Sequence, residues 1–348
     1  MRNILVLIVF TCLFFSCNEE KSSNADIIDF TITNLSNDVL VVSDIEINAD
    51  VNKIYIFFDN NLFQQTFPLN ITSDIKLSSG AKANSFADGE IIFSSADEVK
   101  HIIVEAEDGT QKDWYIALVH KQIQNADFEN WFTNVGMNGK EYEEIGNSSI
   151  GSFWATANMA TSMFTKYGTQ PIYDGEETLV QIKTETTSQV PITAGTLFTG
   201  QFDISGAIAN PTDPKKATDF GIPFKHRPEA IQFDFKYQAG ENYIQATLQD
   251  PGNIFGGFTI DEIDGEDQCS IYAILENRDG DEIIEIARAE MQTTTTPDVL
   301  TTTTVPFEYT TDDTPTHITV VSTSSKDGDL WKGAVGSTLV IDKLIMTY

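Results

Sequence analysis

Apolar and polar residues alternate along most of this chain in short runs, and no stretch carries the 3.6-residue period of a convincing amphipathic helix. Ile27-Ile-Asp-Phe-Thr-Ile-Thr33 and Val41-Val-Ser-Asp-Ile-Glu-Ile47 show the pattern early; Glu176–Thr184, Ala230–Tyr237 and His317–Ser322 show it later. Side chains on a strand point to opposite faces in turn, so a two-residue period marks a strand with one face in a core and one in water. Ile54-Tyr-Ile-Phe-Phe58 is a denser apolar run. Asp108-Gly109 separates two such runs, from His101 and up to Leu118, and Asp279-Gly280 separates Ser270–Arg278 from Glu282–Arg288. Asp-Gly readily takes the positive φ values that a tight hairpin turn needs. The chain therefore reads as all-β.

With 348 residues, two or three domains are expected, at about 150 residues each. Residues 27–119 read as a small sandwich. His120-Lys-Gln-Ile-Gln-Asn125 holds a short polar junction, residues 120–124, without Gly or Pro, so the two units are expected to sit close together. Residues 125–348 read as a larger antiparallel jelly roll. Its opening stretch, Asn125-Ala-Asp-Phe-Glu-Asn-Trp131, and its closing stretch, Ser337–Tyr348, are predicted to be its first and last strands. The Thr-rich region between Gln292 and Thr311 is expected to be strand ends joined by a loop, since Thr favours extended chain.

Met1–Cys17 has one positive residue followed by an apolar run too short to span a bilayer comfortably, the layout of an export signal. Leu13-Phe-Phe-Ser-Cys17 resembles a bacterial lipobox. The resemblance implies that Cys17 is the lipidated first residue of an anchored protein, with residues 18–26 as its tether. Acidic residues directly after the cysteine resemble the surface-export signals of Bacteroidetes lipoproteins, which implies outer-membrane, cell-surface placement. Of three cysteines, Cys12 leaves with the leader and Cys17 takes lipid, so Cys269 has no intrachain partner and reads as a small buried residue. The formal net charge of -31 argues against nucleic acid and anionic lipid as partners and suits a neutral ligand. The membrane is then reached through the lipid anchor only.

The hairpin around Asp108-Gly109, with its aromatic-rich last strand, resembles the end of immunoglobulin-like modules in Bacteroidetes surface lipoproteins. This implies a spacer, with Trp114 in its core. Asn125–Trp131, Trp154-Ala-Thr-Ala-Asn158, Gly221-Ile-Pro-Phe-Lys-His-Arg-Pro228 with its following strand, and Gly333–Asp342 resemble the PCMD family, whose name stands for putative carbohydrate metabolism domain. That resemblance covers roughly Asn125 to Tyr348. It implies a lectin-like β-sandwich on Bacteroidetes lipoproteins, with carbohydrate as partner.

Three constellations follow. In carbohydrate-binding jelly rolls an Asp-Phe-Glu opening strand and an Asp in the closing strand often share a structural calcium; the resemblance makes Asp127, Glu129 and Asp342 the candidate ligands, with strand-end surface carboxylates as the other reading. A sugar ring offers an apolar face and an equator of hydroxyls, so its binding calls for an exposed aromatic beside polar groups. Trp131, Trp154 and Trp331 are the candidates, with core burial as the alternative for each; Trp331 sits in a predicted loop. Lys225-His-Arg-Pro228 is a basic cluster in which His226 and Arg227 are candidate sugar contacts, or else partners of nearby acids. Asp261–Asp267 reads as a solvated loop. No nucleophile elbow, zinc-protease motif or phosphate loop is present. A non-catalytic glycan-binding surface lipoprotein is the expected function. A glycoside hydrolase or related carbohydrate-active enzyme, and an adhesion or scaffold protein with a surface-protein partner, are the alternatives.

Overall fold

The computed structural model describes residues 21–86, 89–148, 152–210, 212–280 and 282–348. The leader and Cys17 lie outside the described residues.

The first unit contains β1 (Ile27–Leu35), β2 (Val42–Asn48), β3 (Lys53–Phe58), β4 (Leu69–Leu77), β5 (Lys82–Ala83), β6 (Glu90–Phe93), β7 (Lys100–Glu105) and β8 (Gln111–Val119). One sheet has the order β1-β4-β6 and the other β2-β3-β8-β7-β5, with β3 and β8 parallel. Ile54, Ile56, Phe58, Ile71, Phe93, Ile116 and Trp114 fill the space between them. Trp114 is fully buried, and its indole N–H donates to the Ala25 carbonyl at 3.0 Å. The Asp108-Gly109 turn closes the β7–β8 hairpin with Gly109 at φ +92°.

The second unit begins with β9 (Trp131–Val135), β10 (Glu141–Ile145), β11 (Trp154–Thr156), β12 (Thr169–Asp174), β13 (Glu177–Lys183), β14 (Thr196–Phe202), β15 (Thr218–Phe220) and β16 (Ile222–Pro223). It continues through β17 (Ala230–Gln238), β18 (Tyr243–Leu248), β19 (Phe258–Glu262), β20 (Cys269–Asp279) and β21 (Glu282–Thr293). It ends with β22 (Thr301–Pro306), β23 (Glu308–Tyr309), β24 (His317–Thr323), β25 (Lys332–Ala334) and β26 (Thr338–Thr347). A sheet ordered β12-β13-β26-β17-β22 packs on one ordered β11-β14-β24-β20-β21-β23, the jelly-roll sandwich expected from the alternation. Alternate residues such as Ile231, Phe233 and Phe235 meet Ile271, Ala273 and Leu275 in the core. Cys269 is fully buried there, and burial pushes its thiol up to about 12. The described helices are short, α1 (Asn158–Thr161) and α2 (Ile204–Ala209) besides single 3-10 turns.

The dense apolar run on β3 has a clear cause. Ile54, Ile56 and Phe58 face the first core, while Tyr55 and Phe57 face outward into the core of the larger sandwich, joined by Ala117 and Val119 of β8. The junction between the units is itself buried: Gln124 donates to the Ala96 and Leu118 carbonyls at 2.9 and 2.7 Å.

Two expectations need correction. Asn125–Asn130 is a turn, and the strand starts at Trp131. The Asn125 side chain accepts from the Asn130 N–H at 2.9 Å and donates to its carbonyl at 3.1 Å, with Asn125 and Phe128 at φ +50° and +59°. A hydrogen bond from Leu344 N–H to the Ala126 carbonyl, at 2.9 Å, ties this turn to the closing strand. Asp261–Asp267 is also more than a solvated loop. Asp261 and Glu262 end β19, and the 1% exposed Asp267 accepts from Ser325 Oγ, Ser337 Oγ and Ala334 N–H at 2.5, 2.7 and 2.8 Å.

Candidate functional site

Between the two units lies an open cleft of about 550 Å³. One wall is the outer face of the β7–β8 hairpin with the turn before it; the other is the Asn125 turn with Gly146, Asn147, Ser152 and Phe153. Because Trp114 points into the first core, its neighbour Tyr115 must point outward. His101 is the cross-strand partner of Tyr115, and the two rings stack with centroids 5.0 Å apart and planes at 16°. Asp113 holds the imidazole from its far side, with Nε2 and the carboxylate 2.6 Å apart. The result is a partly open aromatic platform made of two stacked rings.

Asp97 projects into the same cleft. Asn125 N–H donates to its carboxylate at 3.0 Å, and Asn147 Nδ2 donates to its backbone carbonyl at 3.3 Å. Burial lifts Asp97 to about 6; the Asn125 N–H pulls against this and the Asp127 carboxylate adds to it. Glu98 is anchored to Lys100 and to the Ser94 N–H. Platform, fixed acceptor and amide groups thus converge in one hollow, the usual composition of a small-molecule site at a domain boundary.

The predicted site residues are scattered. Trp154 is 3% exposed, edge-on to Phe128 at 5.3 Å, and its N–H is satisfied by the Gln124 carbonyl at 2.8 Å, so it is a core residue. Trp131 is half-buried against the same core, with its N–H on the Phe128 carbonyl at 2.8 Å. Trp331 remains partly open, at φ +54° and edge-on to Phe258 at 5.3 Å, just before β25 of the small sheet β19-β18-β25, none of whose strands lines the cleft.

Lys225 of the basic cluster reaches across to the first unit, and Arg227 is engaged within the second. Lys225 reaches Asp44 of β2 at 2.5 Å and covers the Phe57 ring at 4.1 Å. His226 is buried between Phe224 and Tyr348 and close to His120; burial lowers its pKa. Arg227 stacks on Tyr309 at 4.1 Å and donates to the carbonyls of Thr311 and Asp313. A sequence with many acids suggested ion pairing, which holds for Lys225; Arg227 instead satisfies the carbonyls of a loop.

The three predicted calcium ligands do not fit that ion. Asp127 is exposed beside Asp97, Glu129 accepts from Thr178 N–H at 3.1 Å, and Asp342 is buried with its carboxyl lifted by burial to about 6. Lys343 lies 3.6 Å from Asp342 and 2.8 Å from Glu177, putting an ammonium where a cation would go. Calcium needs six to eight oxygen ligands, and among the described residues no three His, Cys, Asp or Glu side chains gather.

Neither His101 nor Tyr115 is a candidate from the Asp108-Gly109 turn and the inward Trp114, the two features that mark this hairpin in the sequence. The available signal was Tyr115, one step out of phase with Trp114 and opposite His101.

A family model described as "Putative carbohydrate metabolism domain" matches residues 107–347. The chain belongs to this PCMD family. The match begins within the β7–β8 hairpin, so Tyr115, Asn125 and Asn147 lie inside it while Asp97 and His101 lie outside. A solved structure of a putative glycoside hydrolase from Bacteroides thetaiotaomicron is similar over 95% of this chain and 98% of its own, at 22% identity and a TM-score of 0.55. Another, of a putative glycoside hydrolase from Bacteroides vulgatus, is similar over 64% of this chain and 96% of its own, at 25% identity and a TM-score of 0.51. These likenesses are of fold, and the first extends over both units of this PCMD protein. No curated protein matches the chain.

Proposed function

We propose that this PCMD protein is a lipid-anchored surface protein that binds a glycan in the cleft between its two units. The observation that carries the reading is that the stacked His101–Tyr115 pair and the oriented Asp97 carboxylate line one hollow. An aromatic face attracts the C–H face of a sugar, and fixed acceptors and amides take its hydroxyls. Family membership in a carbohydrate domain supports the ligand class. The first unit is then half of the site and not merely a spacer. A glycan array with the folded full chain tests this: at least one glycan is retained by the wild type and lost by Tyr115→Ala. Retention of the same glycan by Tyr115→Ala would remove the cleft from the account.

A second reading has its own support. A carboxyl lifted to about 6 by burial, here Asp97, has the character of the general acid in glycosidic hydrolysis. It requires release of reducing sugar from a bound glycan by the wild type and its loss in Asp97→Asn. Binding without product release leaves the non-catalytic function. Anchoring at Cys17 rests on the leader sequence alone; among the described residues no helix is long and apolar enough to cross a membrane. Replacing Cys17 by Ala in cells is expected to abolish labelling by a fatty acid and free the protein from the outer membrane.

A further inference from the structure

We propose that the cleft selects an uncharged sugar and that Asp97 sets this choice by accepting hydrogen bonds from a pair of adjacent hydroxyl groups. The inference rests on the glycan reading above and adds the ligand class and the residue that enforces it.

Three observations converge on it. The first is orientation. Asp97 is held at both ends, by the Asn125 N–H on its carboxylate at 3.0 Å and by Asn147 on its backbone carbonyl at 3.3 Å. Asn125 is in turn locked by its own side-chain bonds to Asn130 and by its left-handed backbone. An acceptor fixed in this way loses little freedom when a ligand arrives. A carboxylate has two oxygens and about four acceptor sites, enough for two neighbouring hydroxyls while keeping the Asn125 bond.

The second is charge. Among the described residues that line the cleft there is no Lys or Arg; the charged or chargeable side chains are Asp97, Glu98 and His101. Glu98 is neutralised by Lys100 and His101 is paired with Asp113, while Asp127 stands next to Asp97 with its own negative charge. A carboxylated or sulfated sugar calls for a cationic fork or ammonium. Here it would meet the Asp97 carboxylate with no cation lining the cleft, and like charges in contact disfavour a complex.

The third is shape. The stacked His101–Tyr115 ring pair lines the same hollow as Asp97. A pyranose packed by its C–H face against this ring pair keeps its hydroxyls available to an acceptor in the same hollow.

The test uses the full chain and calorimetric titration with two series of oligosaccharides. One is neutral, comprising glucans, mannans, galactans and xylans. The other is acidic, comprising oligogalacturonates, alginate oligomers and sulfated galactans. The wild type is expected to bind at least one neutral series and to bind every acidic one at least tenfold more weakly. Asp97→Asn, which keeps the volume and one acceptor oxygen, is expected to lose about tenfold in affinity with an unfolding midpoint no lower than that of the wild type. Asp97→Glu serves as a second variant that keeps the charge but moves it, and a comparable loss is expected. Equal binding of acidic and neutral sugars, or undiminished binding by Asp97→Asn, would overturn the inference while Tyr115→Ala still abolished binding. If the wild type binds neither series, the glycan reading itself fails and the inference with it.

Discussion

Truncating Phe57 to alanine probes the joint on which the cleft depends. Phe57 belongs to the first unit by sequence, yet it is fully exposed to the core of the second and wholly shielded from water. Its ring also carries the Lys225 ammonium at 4.1 Å. Removing a buried Phe ring destabilises by about 3–5 kcal/mol, and loss of a partly shielded cation–π contact adds about 1 kcal/mol. The Lys225–Asp44 ion pair, being partly exposed, adds little. If the two units melt together, the unfolding entropy is about 2.1 cal/mol/K per residue, or ~0.7 kcal/mol/K for the whole folded chain. A loss of ~5 kcal/mol then lowers the melting midpoint by ~7 °C. Scanning calorimetry of the full chain is the assay. The wild type should give one transition, and Phe57→Ala should either shift it by this amount or split it in two. A single transition moved by less than ~2 °C would refute the shared core, and with it the claim that the cleft walls are held in fixed relation.

Other outcomes follow from the same structure. His120 is fully buried, and burial drives its pKa from 6.5 down to about 3, with nearby His226 contributing. The folded state therefore resists a proton that the unfolded chain accepts; stability is full above pH 6.5 and falls as pH drops from there toward 3, by ~1.4 kcal/mol per pH unit. Asp97, Asp342 and Glu144, lifted by burial to about 6, 6 and 7, act in the opposite sense as they gain protons. Urea midpoints at pH 7 and pH 4.5 should thus show a smaller acid loss in His120→Phe than in the wild type, and parallel curves would discredit the assignment. Asp267→Ala strands two hydroxyls and an N–H in the interior and is expected to lose ~3–6 kcal/mol; a denaturant-measured change under ~1 kcal/mol would mean those groups find water. Trp331→Ala is expected to leave glycan affinity within about twofold, against a loss of about tenfold or more in Tyr115→Ala; the reverse ranking in titrations would move the site to the β19-β18-β25 sheet.

Strand positions and hairpins were legible because they are local. A two-residue period assigns faces, an Asp-Gly pair supplies positive φ, and Trp114 and Cys269 fall on the inward side of their strands by counting alone. The β3 run stands out in the sequence only as denser in apolar residues than its neighbours. What covers it was not legible, because the partners Phe153, Phe224 and Lys225 lie about a hundred residues or more along the chain. Periodicity says which way a side chain points, and only packing says what meets it. That is why Trp154 and His226, reasonable ligand contacts as residues, ended inside, and why Arg227 is held by backbone carbonyls. It is also why Asp97, one acid among 52 acidic residues in the chain, became distinctive only once the second unit closed over it and withdrew its water.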